Sequence, residues 1–307
     1  MTENPILAAV DIGTNSIRLL VAEVPEPGKI IPQYKHTITT RLGEGMTTTN
    51  ALSDAAIERT IAALEQIKAL AQDHHAQRIM AYATAAVREA QNQDEFIRRV
   101  HKRTQLLVDV LSGQREAQCS FTGIPGSGLR CSVDIGGGST DVALGRDDEP
   151  LAAVSVKLGC VRAKEIYPLG DIADQLTLAA LRQWADHGLK EPMNDLMAQL
   201  KALGDVSFVG VGGTCTTLAA LDQAMATYDP AKVHGYVLKR ERVEALVDRL
   251  AHLTYEERKA LPGMKPNRAD IIINGAVILL AFMDRTGAQS IRVSEWDNLE
   301  GYLLQRG

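Results

Sequence analysis

Two short turns carry the residue types that hold phosphate. One reads Asp11-Ile12-Gly13-Thr14-Asn15-Ser16, the other Asp134-Ile135-Gly136-Gly137-Gly138-Ser139-Thr140-Asp141. Glycine has no Cβ, so successive backbone N–H groups can point at one anion and approach it closely. Thr14, Ser16, Ser139 and Thr140 add hydroxyl donors. Each turn opens on an aspartate at the end of an apolar run, which sets a carboxylate at the rim of the same loop. Carboxylate beside phosphate calls for a cation between them. A hard divalent ion such as Mg²⁺ takes oxygen ligands from both. Plain hairpin turns, with glycine for geometry and aspartate for capping, would use the same residues. A matched second copy favours phosphate.

The copies align residue by residue. VDIGTNS (10–16) and VDIGGGS (133–139) share Val, Asp, Ile, Gly and Ser, and Asp11 and Asp134 lie about one domain apart. Each copy sits between two predicted strands and begins its own half of the chain. The pattern reads as an internal duplication: two related domains facing each other across a cleft. A third glycine turn, Gly210-Val211-Gly212-Gly213-Thr214, follows a predicted strand and precedes a helix. Such a turn is an anion site at a helix N-terminus, although tight strand–helix packing explains it equally well. Glu116, in SGQREA (112–117), opens a helix and locally compensates its dipole. Arg88, in ATAAVREA (83–90), locally reads as a surface or helix-end arginine. The basic run 98–103 reads as a solvated helix face.

The elements that must position these residues alternate in type. Strands are predicted over 6–11, 17–24, 29–37, 78–84, 106–111, 131–135, 140–144, 206–211 and 290–293. Ser53 caps a long helix whose Ile57, Ile61, Leu64, Ile67 and Ala71 keep helical spacing. Further helices are predicted over 94–103, 178–187, 191–203, 242–252 and 269–285, with a capping-box start at Thr254 and Glu257. This order gives an α/β layer fold. The Gly- and Pro-rich stretch 123–128 is the best linker.

Composition narrows the classes. Of 307 residues, 45% are hydrophobic and 23% charged, an ordinary globular balance that excludes a disordered chain, a collagen-like fibre and a coiled-coil rod. Aromatics at 4% do not supply a base-stacking surface. The net charge of -5 is the wrong sign for a general binder of DNA or anionic membrane. Neither nucleic acid nor membrane is therefore expected as a partner. The longest apolar run, 271–283, is broken by Asn274 and Gly275 and falls short of a bilayer span. The opening MTENPILAAVDIG has no basic n-region, so a cytoplasmic location is expected. Cys119, Cys131, Cys160 and Cys215 are scattered and read as reduced thiols packed as small hydrophobes.

Taken together, the series resembles the exopolyphosphatase / guanosine pentaphosphate phosphohydrolase family, within the actin, sugar-kinase and chaperone ATPase superfamily. The supporting segments are DIGTNSIRLL (11–20), ATAAVREA (83–90), LSGQREA (111–117), VDIGGGSTD (133–141), LGCVR (158–162), GVGGTCTTLAAL (210–221) and RADIIINGAVIL (268–279). The resemblance implies two duplicated actin-like (ribonuclease H-like) domains of mixed β-sheet flanked by helices, with the active site in the interdomain cleft. The expected domains are 1–127 plus 293–307, and 128–292, the last helix packing back on the first domain. It implies a metal-dependent release of terminal phosphate from inorganic polyphosphate, or of the 5′-phosphate from guanosine pentaphosphate (pppGpp). A catalytically weak phosphate- or nucleotide-binding regulator and a sugar kinase are its rivals. Glu116 matches the general base for the attacking water. Asp134 and Asp141 match metal-coordinating acids, and Asp11 sits at the equivalent place in the first copy. Arg88 matches a phosphate-contacting arginine. Gly13, Thr14, Asn15, Ser16, Gly136, Gly137, Gly138, Ser139, Thr140, Gly212, Gly213 and Thr214 would hold phosphoryl oxygens. The implied metal is Mg²⁺ or Mn²⁺, with K⁺ stimulation, and the implied assembly a homodimer. Three positions depart from the family's pattern: Asp141 replaces the usual Glu, Leu299 takes an arginine's place, and Lys157 stands where an uncharged residue is usual.

Overall fold

The computed structural model describes residues 4–306. The chain divides into two compact units, Met1–Ile124 with Asp297–Gly307, and Pro125–Trp296.

The first unit is built on a five-stranded sheet: β1 (Ile6–Ile12), β2 (Ser16–Glu26), β3 (Lys29–Thr39), β4 (Arg78–Ala83) and β5 (Val108–Val110). The order is β3-β2-β1-β4-β5. β1, β2 and β3 run antiparallel, whereas β4 lies parallel to β1 and β5 parallel to β4. β5 is shorter than the predicted 106–111 strand, because Leu107 turns out to solvent while Leu111 already leads into the next helix. The Ser53-capped helix Asp54–Asp73 buries Ile57, Ile61, Leu64, Ile67 and Ala71, the stripe its spacing predicted. It packs with the helix Gln93–Thr104, whose buried Phe96 and Val100 face inward. The basic run lies on the outer face of that second helix. Arg99 reaches Asp54 at 2.6 Å and Glu58 at 2.7 Å, and Arg103 reaches Glu65 at 2.9 Å. This part of the basic face is therefore matched by acids on the neighbouring helix.

The second unit repeats the plan: β6 (Leu129–Ile135), β7 (Thr140–Arg146), β8 (Glu149–Val156), β9 (Ser207–Val211), β10 (Val237–Lys239) and β11 (Ser290–Val293). The order is β10-β11-β9-β6-β7-β8. Dropping β10, an edge strand antiparallel to β11, leaves the order and directions of the first sheet. Each unit thus has the mixed, helix-flanked sheet of a ribonuclease H-like, actin-like domain. The helix Ile272–Thr286 is buried on every face from Ile272 to Met283 and forms the centre of the second core. Among the described residues, no helix is long and apolar enough to cross a membrane. All four cysteines are free and buried. Burial pushes the Cys119 and Cys160 thiols up to about 11 and Cys131 up to about 12, as expected of inert core thiols.

The C-terminal helix Asn298–Arg306 belongs to the first unit and crosses the helix Gly113–Gly123 at glycines. A Cβ on Gly123 would stand 1.8 Å from the Asp297 carbonyl oxygen, and one on Gly301 would stand 1.8 Å from that of Cys119. Glycine on both helices is what lets the backbones meet. Tyr302 packs against Tyr82 with the rings tilted by 35° and their centroids 4.3 Å apart.

Candidate functional site

The two phosphate-type turns are the β1–β2 and β6–β7 hairpin turns, and they close with the same bond. Gly13 N–H donates to Ser16 O at 3.0 Å, and Gly136 N–H donates to Ser139 O at 2.9 Å. The amides between them, Thr14 and Asn15 in one turn and Gly137 and Gly138 in the other, donate to nothing among the described residues. The carbonyls of the turns are occupied instead. Thr14 O accepts from Gly43 N–H, and Asn15 O accepts from Thr40 and Arg41 N–H. Gly137 O accepts from Val161 and Arg162 N–H, Gly136 O from Cys160 N–H, and Gly138 O from Arg162 Nε at 3.2 Å. Oxygens tied back and amides left over are the polarity an anion cradle needs.

The hydroxyls do less than the sequence suggests. Thr140 Oγ1 donates to Leu158 O at 2.5 Å, and Thr214 Oγ1 donates to Ile135 O at 2.9 Å. Ser139 Oγ donates to Asp141 Oδ2 at 3.1 Å, and Ser16 Oγ accepts from Asn15 Nδ2 at 3.1 Å. Thr140 and Thr214 are buried braces of the turns, so their hydroxyls are already committed.

Strand register separates the three aspartates. Asp134 faces Asp141 directly across β6 and β7, whereas Asp11 faces Arg18 across β1 and β2. Directly opposed residues share one face of a sheet, so the second copy sets two carboxylates side by side where the first sets an ion pair. Arg18 donates to Asp11 Oδ2 from Nε at 3.0 Å and Nη2 at 2.6 Å. It also pairs with Asp297 and reaches Asn298 Oδ1 at 2.5 Å. Burial raises the Asp11 carboxyl above its ordinary range, against the pull of Arg18. Burial also pushes on Asp297, but Arg18 and then Lys35 outweigh it and hold that carboxyl low. Asp11 therefore already has its counter-cation, and only Oδ1, buried with no hydrogen-bond partner, is left to it. In this the Asp11 carboxylate differs from Asp134, the acid at the equivalent place in the second copy.

Asp134 and Asp141 fit a small hard cation better. Both are buried, and together they present carboxylate oxygens on one face. Among the described residues no group of three or more His, Cys, Asp or Glu side chains converges on a metal position. A pair suits Mg²⁺, which commonly takes one or two carboxylates and completes its shell with water and phosphate oxygens. The Asp134 carboxylate lies against Gly212, where φ is +72° and a Cβ would stand 2.2 Å from Oδ1. Gly212 and Gly213 begin the helix Gly212–Asp222, which aims its first amides outward beside Asp134. The Arg268 guanidinium packs over Gly213, so a side chain there would have to push it aside.

Glu116 lies in the first unit, one turn into the helix Gly113–Gly123 capped by Ser112. It stands in the first turn, where an acid compensates the helix dipole, and it is buried as well. It is 7% exposed and bridged to Arg88, whose Nη1 donates to Glu116 Oε2 at 2.8 Å and to Leu111 O at 2.9 Å. Arg88 is the helix-end arginine that its local sequence suggests, in the last turn of Ala85–Glu89, with its side chain half-buried. Arg88 Nε and Nη2 have no acceptor among the described residues, which leaves that edge of the guanidinium for an anion. The structure thus gathers Asp11, Gly13, Thr14, Asn15, Ser16, Arg88 and Glu116 in one unit, and Asp134, Gly136 to Asp141 and Gly212 to Thr214 in the other. Sequence reasoning missed Arg18, Asp297 and the Lys35–Glu300 pair at 2.6 Å.

The family profile described as the Ppx/GppA phosphatase family matches residues 21–306. The chain belongs to this family. Exopolyphosphatase 2 of Mycobacterium tuberculosis is 34% identical over 315 residues, covering 97% of each protein. A bifunctional 3-dehydroquinate synthase/phosphatase of Fusobacterium nucleatum is 32% identical, with 98% of this chain matching 46% of that protein. Among solved structures, the type II variant of the Aquifex aeolicus Ppx/GppA phosphatase gives a TM-score of 0.73 at 29% identity, covering 98% of this chain and 99% of that one. An exopolyphosphatase-like protein gives a TM-score of 0.91 at 27% identity, covering 100% and 98%. In this Ppx/GppA family member Leu299 is 3% exposed, so the leucine in the arginine's place is a core residue. Asp141, shorter by one methylene than the usual Glu, is fixed by Ser139.

Proposed function

We propose that this chain is a metal-dependent exopolyphosphatase, releasing orthophosphate from the end of inorganic polyphosphate. The observation that carries the reading is Glu116: a buried carboxylate at a helix start, held by an arginine with a spare donor edge, in a chain matched end to end by a protein named exopolyphosphatase. In this reading Glu116 orients water and takes its proton. The water oxygen bonds to the terminal phosphorus as the bond to the bridging oxygen breaks. The products are orthophosphate and a chain shorter by one unit. Arg88 would bind a phosphoryl oxygen through Nε and Nη2. The unengaged turn amides at Thr14, Asn15, Gly137 and Gly138 would bind others. Asp134 and Asp141 would hold Mg²⁺ or Mn²⁺, which supplies positive charge to phosphoryl oxygens as charge redistributes.

Guanosine pentaphosphate is the second substrate of this reading, because the family name spans both activities. The test is to offer the purified protein with Mg²⁺ short polyphosphate, long polyphosphate, guanosine pentaphosphate and ATP separately, and to follow phosphate release. Fastest release from polyphosphate supports the proposal. Release confined to guanosine pentaphosphate replaces it with the nucleotide phosphatase, and no release from any of them leaves a binding protein.

A further inference from the structure

A cavity of about 290 Å³ opens in the second unit, and none of the phosphate-turn residues lines it. Its polar lining carries an unanswered demand. Arg258 is 4% exposed. Its side chain's only hydrogen bond among the described residues is from Nη1 to Leu250 O at 3.4 Å, and Nε has no acceptor. No ion pair holds it, and Asp171 and Asp270 act on it only through their charge, whereas an arginine this buried is normally paired. The nearby acid is answered at one oxygen, since Lys164 Nζ reaches Asp270 Oδ2 at 2.6 Å while Oδ1 accepts no hydrogen bond. Asn274 is 2% exposed, and its Nδ2 also has no acceptor. A buried donor without an acceptor is destabilising, so two donors on one cavity call for a guest that accepts. Lys164 and Arg258 against Asp270 leave the lining net positive. Leu169, Tyr255 and Ile273 make the rest of the wall apolar.

We propose that this cavity is a second small-molecule site, taking an organic oxyanion: a carboxylate or phosphate monoester carried on a compact apolar body. Arg258 and Asn274 bind the oxyanion, and Tyr255, Leu169 and Ile273 cover the body. The volume lies at the lower end of the range for small-molecule pockets, room for a single ring and its head group. Inorganic polyphosphate has no apolar part to set against these walls, so the ligand is chemically distinct from the proposed substrate. The inference stands whether or not the chain hydrolyses polyphosphate.

The test uses the full chain and probes that separate head from body. Benzoate and phenyl phosphate carry one ring on the two heads. Benzyl alcohol has the ring without charge, and inorganic phosphate has the head without the ring. Binding is followed by calorimetry in every variant and, in the wild type, by NMR at the Asn274 side-chain amide, assigned by its loss in Asn274→Leu. Saturable shifts with at least one ring anion are expected, with both controls at least tenfold weaker. The stronger of the two ring anions identifies the head. Asn274→Leu should lose at least tenfold in affinity while melting no lower than wild type, because Nδ2 has no bond to lose. Arg258→Gln should lose at least as much. If Arg258→Gln does not fold, Asn274→Leu still decides. Two results overturn the proposal: neither ring anion shifts the Asn274 amide, which leaves a water-filled cavity, or Asn274→Leu binds both as tightly as wild type.

Discussion

Replacing Arg18 by methionine removes one side chain and strands two acids. Arg18 is the only described cation paired with both Asp11 and Asp297, whose side chains are 5% and 8% exposed. Methionine keeps much of the stem volume and removes every donor. Breaking a buried ion pair by deleting one partner costs about 3–5 kcal/mol, because the other charge stays buried. Arg18 is itself 20% exposed, which lets some water reach the acids and sets the expectation near the lower end, about 3 kcal/mol. At about 2–4 °C per kcal/mol, the apparent melting temperature should fall by about 6–12 °C. The pH dependence gives the sign. Asp297 is held below its ordinary pKa, so its contribution in the wild type is present above the unfolded-state value and lost as pH falls through the folded one. Without Arg18, Asp11 loses its main opposing charge and rises further above its unfolded value, while Asp297 rises against the remaining pull of Lys35 and the Leu299 amide. The variant's deficit should then be largest at neutral pH and shrink on acidification toward about pH 4.5, as the acids take up protons. Arg18→Lys, which keeps the charge but cannot fork to three acceptors, should lose less. Urea unfolding at the two pH values measures this. A loss under about 1 kcal/mol, or the same loss at both pH values, would refute the claim that Arg18 neutralises a buried acid pair.

Other expectations concern packing and the metal. Gly301→Ala puts a Cβ onto the Cys119 carbonyl, so the two helices must separate; a loss of about 1–3 kcal/mol or more is expected, and an unchanged melting temperature would show that the crossing yields freely. Asp134→Asn and Asp141→Asn each remove a charged ligand with little change of shape, so activity should need more Mg²⁺ and return partly when it is supplied. An unaltered Mg²⁺ response in both variants would make these acids structural.

The sequence made the turns legible because their information is local. Aspartate, glycine and hydroxyl residues within eight positions define a hairpin and its chemistry, and the second copy at the same spacing confirms the frame. The Asp54–Asp73 helix was legible for the same reason, through a stripe every three or four residues. Arg18 was not, because its partners Asp297 and Asn298 lie 279 and 280 residues further on. Nor did position alone reveal that Glu116 is buried or that Arg88, 28 residues earlier, is its clamp. The strand β8 escaped notice because Glu149–Val156 mixes Pro150, Ala152 and Ala153 into a weakly alternating run and pairs across a register shift. The hydroxyls of Thr140 and Thr214 were assigned to ligand because composition cannot say which donors the backbone has already taken.

In the proposed reaction Glu116 activates water for attack on a terminal phosphate. Glu116→Gln keeps the shape of the side chain and removes its basicity. Measured with Mg²⁺ and short-chain polyphosphate, its turnover should fall by about 10²–10⁴-fold, the usual contribution of a general base. Binding of the same polyphosphate, measured separately by calorimetry, should stay within a few-fold of wild type. Near-normal turnover in the folded variant would remove Glu116 from the chemistry and contradict the account.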